Sequence, residues 1–358
     1  MKNRLIGIDV ARALAIIGMI IVNFKIVFGE NGNEIFKLFS SFFQGKAAAT
    51  FVVLAGIGIA FMSNSAVISR DKTQIRRTQI RIAKRAIFLF IVGSIYTTIW
   101  IADILHFYGI YMLITLFLIS CSKRWIIILA LIPIISYPII MLIIDYETSW
   151  NFKTLTYFDF WTVPGFFRNL LYNGFHPVIP WISFMFLGLW FGKQNLTNNK
   201  FIKKSMLISI IIYIIMLLIS KLFIYIISEN NRIPILELEH VLGTSPMPPL
   251  PIYMLSSAAF AIFVISSCIF ISKRCKNNLL INLLSKTGRL ALTFYIAHVV
   301  IGMGIIETIY PEKMGHFSIK FSVTYALLFS TSCILFAAIW TKYKNLGPLE
   351  WIMRKIAG

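Results

Sequence analysis

The sequence predicts an all-α fold, a polytopic transmembrane helix bundle of about ten spans with both termini cytoplasmic, and three observations predict it. The 358 residues are 58% hydrophobic and only 13% charged, against roughly 45–50% and about 25% in a soluble domain. With a mean hydropathy of +0.80, such a chain has too little polar surface to cover itself in water. The apolar residues also fall in repeated runs long enough to cross ~30 Å of hydrocarbon at ~1.5 Å per helical residue. Finally, Lys and Arg gather in alternate connections between those runs, as the positive-inside rule expects. The formal charge of +20 therefore points to anionic lipid headgroups. No nucleic-acid partner is expected, because that reading needs a basic face on a soluble domain.

Taken in order, the spans are read at 10–29, 47–66, 86–104, 106–121, 125–144, 177–192, 204–228, 251–272, 289–309 and 319–341. Lys2 and Arg4 would suit a signal peptide, but Asp9 and Arg12 interrupt the apolar stretch that should follow, so the first segment is expected to stay as a span. The second span is followed by Arg70, Lys72, Arg76, Arg77, Arg81, Lys84 and Arg85, and the fourth by Lys123 and Arg124. Lys193, Lys200, Lys203 and Lys204 follow the sixth, and Lys273, Arg274, Lys276, Lys286 and Arg289 the eighth. Lys342, Lys344, Arg354 and Lys355 end the chain. The other connections hold Glu30, Glu34, Asp145, Glu147, Asp159, Glu229, Glu237, Glu239 and Glu312 with few cations, which sets both termini inside.

No soluble domain interrupts this pattern, so residues 1–358 are read as one membrane domain. Its longest connections, 145–176 and 229–250, face outward. The first is rich in rings, among them Trp150, Tyr157, Phe158, Phe160, Trp161 and Phe166. Such a loop either anchors in the headgroup layer or roofs an outward cavity and stacks on a sugar. Cys121, Cys268, Cys275 and Cys333 lie in spans or at cytoplasmic ends, with no CxxC pair, so no disulfide framework is expected.

Ionisable groups inside spans are costly and usually mark function. In the first span Asp9 and Arg12 are three apart and share a face. Asn23, eleven residues on, returns to that face ~16 Å further along. This stripe is either a working surface or an ion pair that fixes helix packing. Asp103 and His106 lie at i, i+3 beside Tyr108-Gly109, where a carboxylate orients an imidazole for base chemistry. His176-Pro177 and Pro180-Trp181 open the sixth span on the same outer side, and Tyr295 and His298 share a face near the middle of the ninth. Lys46 stands at the start of the second span, where it snorkels to headgroups or serves the site. Gly56 and Gly58 are both read as close helix contacts. The five histidines show no HxxxH or HExxH spacing, so no metal site is expected.

These motifs together resemble a known family. Arg4-Leu5-Ile6-Gly7-Ile8-Asp9-Val10-Ala11-Arg12, running on to Val22-Asn23, is similar to the opening of bacterial proteins like heparan-alpha-glucosaminide N-acetyltransferase. Gly45-Lys46-Ala47 through Ala55-Gly56 resembles that branch's second helix. Tyr108-Gly109, Pro180-Trp181 with Gly188, Gly288-Arg289-Leu290 through His298, and Gly347-Pro348-Leu349-Glu350-Trp351 extend the likeness along the whole chain. One departure stands out: the animal enzyme's His-Ala-x-Trp-Asn-Gly stretch is replaced by Phe39-Ser40-Ser41-Phe42-Phe43-Gln44-Gly45, which has no histidine. The animal enzyme's substrate therefore does not carry over, and the base must lie elsewhere.

The resemblance implies an acyltransferase of the transmembrane acyltransferase superfamily in a bacterial plasma membrane. It would move an acyl group, first of all acetyl, from acetyl-CoA or another acyl-CoA inside to a sugar hydroxyl or amine outside. The acceptor would be an envelope glycan or a lipid-linked sugar, with membrane lipids as surroundings and a homo-oligomer left open. On this reading His298 is the general base and His106, oriented by Asp103, the second candidate. Arg12, Asp9, Asn23, Lys46 and Arg289 would serve acyl-CoA, while His176, Trp181, Tyr108 and Tyr295 would contact the acceptor. The alternatives are a multi-pass transporter of a small solute or envelope precursor, lined by the same stripe, and a structural scaffold.

Overall fold

A computed structural model of the chain describes residues 4–152, 154–231 and 234–358; Lys2, counted above among the basic residues, lies outside them. The helices in chain order are α1 (Ile6–Phe28), α2 (Glu34–Ser41), α3 (Lys46–Ser69), α4 (Lys72–Tyr96), α5 (Leu105–Thr115), α6 (Lys123–Met141), α7 (Val163–Arg168), α8 (Val178–Gly192), α9 (Asn199–Asn231), α10 (Ile235–Leu242), α11 (Pro251–Arg274), α12 (Leu279–Gly288), α13 (Ala291–Ala297), α14 (Gly304–Ile309), α15 (Ile319–Tyr343) and α16 (Pro348–Ala357). A short hairpin pairs Trp150–Asn151 with Thr156–Tyr157.

Seven helical stretches among the described residues are long and apolar enough to cross a membrane: Ile6–Phe28, Glu34–Ser69, Lys123–Met141, Asn199–Glu229, Pro251–Arg274, Ala291–Ile309 and Ile319–Tyr343. An eighth is a broken pair, Val163–Asn173 and Val178–Gly192, bent by 49°. The protein is thus a polytopic helical membrane protein. Of the ten expected spans, 86–104 and 106–121 differ most. Helix α4 starts at Lys72 and carries six cations before Ala86, which leaves only 86–96 apolar and helical. The chain then turns, and α5 with its 3-10 continuation ends at Leu118. These two short segments pack closely: a Cβ at Gly93 would overlap the His106 backbone nitrogen, and one at Gly109 would stand 2.7 Å from the Ala86 carbonyl oxygen.

The chain divides into two compact units. The first holds the described residues of Met1–Phe51, Leu196–Leu207 and Phe260–Lys355. Within it α1 packs against α2, α12, α13 and α15. The start of α1 is held at backbone distance: a Cβ at Gly288 would overlap the Asp9 carbonyl oxygen, and one at Gly7 the Ile269 Cα. Its far end is tied to the 315–322 segment through Gly315 N–H to Val27 O (2.9 Å), Phe317 N–H to Phe28 O (2.8 Å) and Ser322 Oγ–H to Gly29 O (2.7 Å). Gly29 has φ +133°, a left-handed value that glycine tolerates.

The second unit holds Val52–Asn195, Ile208–Ala259 and Ile356–Gly358. Here α4 packs on α5, and α8 on α5 and α6. The aromatic connection 145–176 has a core of its own. Trp150, Tyr157 and Phe160 are buried against Phe166, Phe175 and Met247, whereas Phe158 and Trp161 are about 70% exposed. Asn173 is its keystone: its Nδ2 donates to the Tyr146 and Thr148 carbonyls (2.9 and 3.0 Å), its Oδ1 accepts from the Tyr157 hydroxyl (2.8 Å), and its carbonyl accepts the Trp150 indole N–H (2.6 Å). Arg168 ties the rim by donating to Tyr157 Oη (2.8 Å), Ser149 Oγ (2.7 Å) and Asp159 (2.5 Å).

The Arg168 guanidinium holds the Asp159 carboxyl below its ordinary value. A carboxyl depressed on folding adds stability above its unfolded pKa and loses it as pH falls through the folded one. Acidification from pH ~5 toward ~3 should therefore lower the protection of amides in this connection, read as the exchange rate relative to the intrinsic rate at the same pH. Asp159→Asn should show low protection at both pH values. An acid response that survives in Asp159→Asn would assign it to another group.

Candidate functional site

In the first unit two residues from opposite ends of the sequence meet. Asn23 Nδ2 lies 2.9 Å from His298 Nε2. Helix α1 supplies Asn23, and His298 opens a π-helical turn, His298–Met303, between α13 and α14. Single π turns inside helices are frequent at functional sites, and this one has an outside tie: the Tyr325 hydroxyl donates to the Gly302 carbonyl (2.9 Å). The His298 side chain is fully buried, with Tyr295 5.4 Å and Phe24 6.3 Å away between ring centroids. Asn23 is half-buried, so the pair has one open side. His298 Nδ1 is enclosed near the Phe294 and Tyr295 backbone and makes no close hydrogen bond among the described residues.

A neutral imidazole donates from one nitrogen and accepts at the other, and an amide can present either its oxygen or its NH₂. With the Asn23 oxygen toward the ring, Nε2–H donates to it and Nδ1 is left as a free lone pair. With the NH₂ toward the ring, Nε2 accepts and Nδ1 carries the proton. The first arrangement is the one a general base requires.

The second group in this unit surrounds Asp9, which is 3% exposed. Arg4 Nε donates to Asp9 Oδ2 (2.6 Å) and an Arg12 guanidinium N–H to Oδ1 (2.9 Å). Arg4 and Asp9 both act electrostatically on Arg289, which also donates to the Asn345 carbonyl (2.8 Å). Two guanidiniums thus pair with one carboxylate and a third lies within its electrostatic reach, leaving net positive charge beside the first turn of α1. Of the candidates for acyl-CoA, Asp9 and Arg12 pair directly and Arg289 lies near them with Arg4, whereas Asn23 pairs with His298 instead. Lys46 stands apart from this group: it is buried, not snorkelled outward, with its ammonium 5.9 Å from the Phe42 ring centroid.

In the second unit Asp103 Oδ2 accepts both from His106 Nδ1 (2.9 Å) and from the His106 backbone N–H (3.1 Å). Both side chains are buried, and His106 Nε2 has no hydrogen-bond partner among the described residues. The His176 ring lies 4.6 Å from fully buried Trp181, and the Tyr111 hydroxyl donates to the His176 carbonyl. Asp103, His106, His176 and Trp181 thus fall in one unit. Tyr108 does not share the His106 face, because residues two apart on a helix point to opposite sides.

Two residues with structural weight escaped the reading of the sequence. Arg168 was an unremarked cation in an aromatic loop. Glu350 was noticed only as part of Gly347–Trp351, yet its Oε1 accepts from the Leu292 and Thr293 backbone N–H groups (2.7 and 3.2 Å), and its Oε2 from the Thr293 hydroxyl (2.6 Å). Burial pushes the Glu350 carboxyl above its ordinary value, against the pull of these bonds.

Comparison with known families agrees with the resemblance drawn from the motifs. A family model described as Heparan-alpha-glucosaminide N-acetyltransferase, catalytic, matches residues 4–229. A second, described as Protein of unknown function (DUF418), matches residues 190–358. No curated protein matches the chain. Asn23 falls in the first match and His298 in the second, so their hydrogen bond joins the two stretches. The first match covers well over half of the sequence, and the chain belongs to the heparan-alpha-glucosaminide N-acetyltransferase catalytic family.

Proposed function

We propose that the protein is a membrane-embedded acyltransferase. It takes an acyl group, acetyl in the first instance, from cytoplasmic acyl-CoA and passes it to a hydroxyl or amine of an envelope glycan or lipid-linked sugar outside a bacterial plasma membrane. The observation that carries this reading is the part-buried Asn23–His298 pair within a family whose name states acetyl transfer. Both termini are cytoplasmic on the distribution of Lys and Arg, which places the Asp9 cluster inside.

The packing around the enclosed His298 Nδ1 opens to admit the acceptor, and Nδ1 then takes the proton of its O–H or N–H as that atom attacks the thioester carbonyl carbon. Asn23 holds the ring through Nε2 and selects the tautomer, the part a carboxamide plays in Cys-His-Asn enzymes. The carbon–sulfur bond then breaks, and the proton on Nδ1 goes to the departing CoA sulfur. Acceptor and thioester exchange one acyl group and one proton, and His298 ends as it began. Arg4, Arg12 and Arg289 hold the CoA phosphates, where planar guanidiniums bind best. Tyr295, beside His298, serves the acceptor, and Lys46 is a further donor-side cation; in the second unit His106 with Asp103 is the second candidate base, and His176, Trp181 and Tyr108 would serve the acceptor there.

Calorimetry of acetyl-CoA with the protein in nanodiscs tests the reading. Micromolar binding that Arg12→Ala weakens about tenfold or more is expected, since one charge-assisted contact contributes ~1.5–3 kcal/mol. Absence of binding by acetyl-CoA and by longer acyl-CoAs would remove CoA-dependent transfer and bring forward transport along the α1 stripe.

A further inference from the structure

Helix α13, which presents Tyr295 and leads straight into His298, begins without a cap of its own. Its N-cap residue is Leu290, which offers no side-chain acceptor. The N–H groups of the first helical turn have no partner within the helix, and an anionic acceptor is favoured there. Glu350, more than fifty residues downstream, fills that place. One carboxylate oxygen takes the N–H groups of Leu292 and Thr293, and the other takes the Thr293 hydroxyl. The contact is reciprocal, since the Thr293 hydroxyl also accepts from the Leu349 backbone N–H (3.2 Å). The lead-in to α16 is fastened alongside it. Arg289 donates to the Asn345 carbonyl, and the Trp340 indole N–H to the Leu346 carbonyl (both 2.8 Å). Gly347 admits the carboxylate, because a Cβ there would overlap Glu350 Oε2 and stand 2.7 Å from Thr293 Oγ1.

We infer that Glu350 is a positioning residue: it caps α13 in trans and thereby sets the depth and rotation at which His298 meets Asn23. Thr293 and His298 are five residues apart, ~7.5 Å along a helix. A fray or rotation of the first turn is therefore passed to the imidazole with little to absorb it.

The test uses full-length protein in nanodiscs with ¹⁵N-labelled histidine. Five histidines give five sets of ring signals, and His298→Gln identifies the one that matters. In Glu350→Ala the His298 signals are expected to shift or broaden while the other four sets stay in place. Glu350→Gln, which keeps an acceptor oxygen for the two backbone N–H groups, should restore them. Thr293→Val, which deletes only the hydroxyl bond, should give a smaller shift of the same kind and serves if Glu350→Ala does not fold. Unmoved His298 signals, or movement of all five sets together, would overturn the inference. The activity arm rests on the acyltransferase reading: kcat should fall ~10–100-fold with the KM for acetyl-CoA unchanged. Wild-type protein inactive toward acetyl-CoA would sink that reading and leave the spectroscopic arm to decide this one.

Discussion

Replacing His298 by alanine should lower acyl transfer by ~10²–10⁴-fold, the range expected when a general base is removed, while acetyl-CoA binding persists. The size follows from the surroundings. The imidazole is fully buried, its Nε2 is committed to Asn23, and its Nδ1 makes no close hydrogen bond among the described residues. The alanine variant loses the base and also opens a gap beside Phe24 and Tyr295, so a second variant is needed to separate chemistry from packing. His298→Gln keeps a polar group within reach of Asn23 and fills much of the volume, but it cannot take a proton at neutral pH. It should be as inactive as alanine and more stable. Asn23→Ala leaves the base but frees the ring, so it should cost less than removal of the imidazole. The readout is single-turnover loss of acetyl-CoA with a panel of glycan acceptors. Full activity in His298→Gln would take His298 out of the mechanism and pass its role to His106. Asp103→Asn would then be the damaging change, because it alters the hydrogen bond that orients the His106 ring.

What the sequence could and could not show follows from the range of each interaction. Asp9 with Arg12 and Asp103 with His106 are legible because helix geometry alone puts i and i+3 on one face, and both pairs form. The Asn23–His298 bond links residues 275 apart. Each was recognised singly as a polar group where lipid should exclude it, but nothing local says that they meet. Glu350 is harder still, since a lone carboxylate near the chain's end has no pattern around it. The spans read well where apolar runs are bounded by charge on both sides. They read poorly in α4, where a basic half and an apolar half share one continuous helix, so a hydropathy pattern sees only the second. Tyr108 was grouped with His106 by closeness in sequence, although a helix sends them opposite ways.

Gly56 and Gly58 were given the same reading, and the structure separates them. Gly56→Val should sharply lower the yield and thermal stability of folded protein, and Gly58→Val should be tolerated. Helices α3 and α8 meet along Val53, Gly56, Ile57 and Ala60 on one side and Met185, Gly188, Leu189 and Gly192 on the other. A Cβ at Gly56 would overlap the Met185 carbonyl oxygen and stand 2.6 Å from the Leu189 nitrogen; one at Gly188 would overlap the Val53 carbonyl oxygen; one at Gly192 would stand 2.6 Å from Ala60 Cβ. Around Gly58, two residues along, nothing lies within 4 Å of such a Cβ. Lipid supplies no hydrophobic drive between helices, so association depends on this close backbone approach. Overpacking costs ~1–3 kcal/mol where side chains can yield, and occasionally more. At Gly56 the obstructing atoms are backbone, which yields only if the whole helix moves, so the cost belongs at or above the top of that range. At Gly58, half-buried but with room at the Cβ position among the described residues, a change within ~0.5 kcal/mol is expected. Fluorescence-detected size exclusion with thermal challenge reads both variants on one scale. Equal loss in the two would mean that glycine is needed along α3 for helix flexibility, and the α3–α8 crossing would no longer explain it.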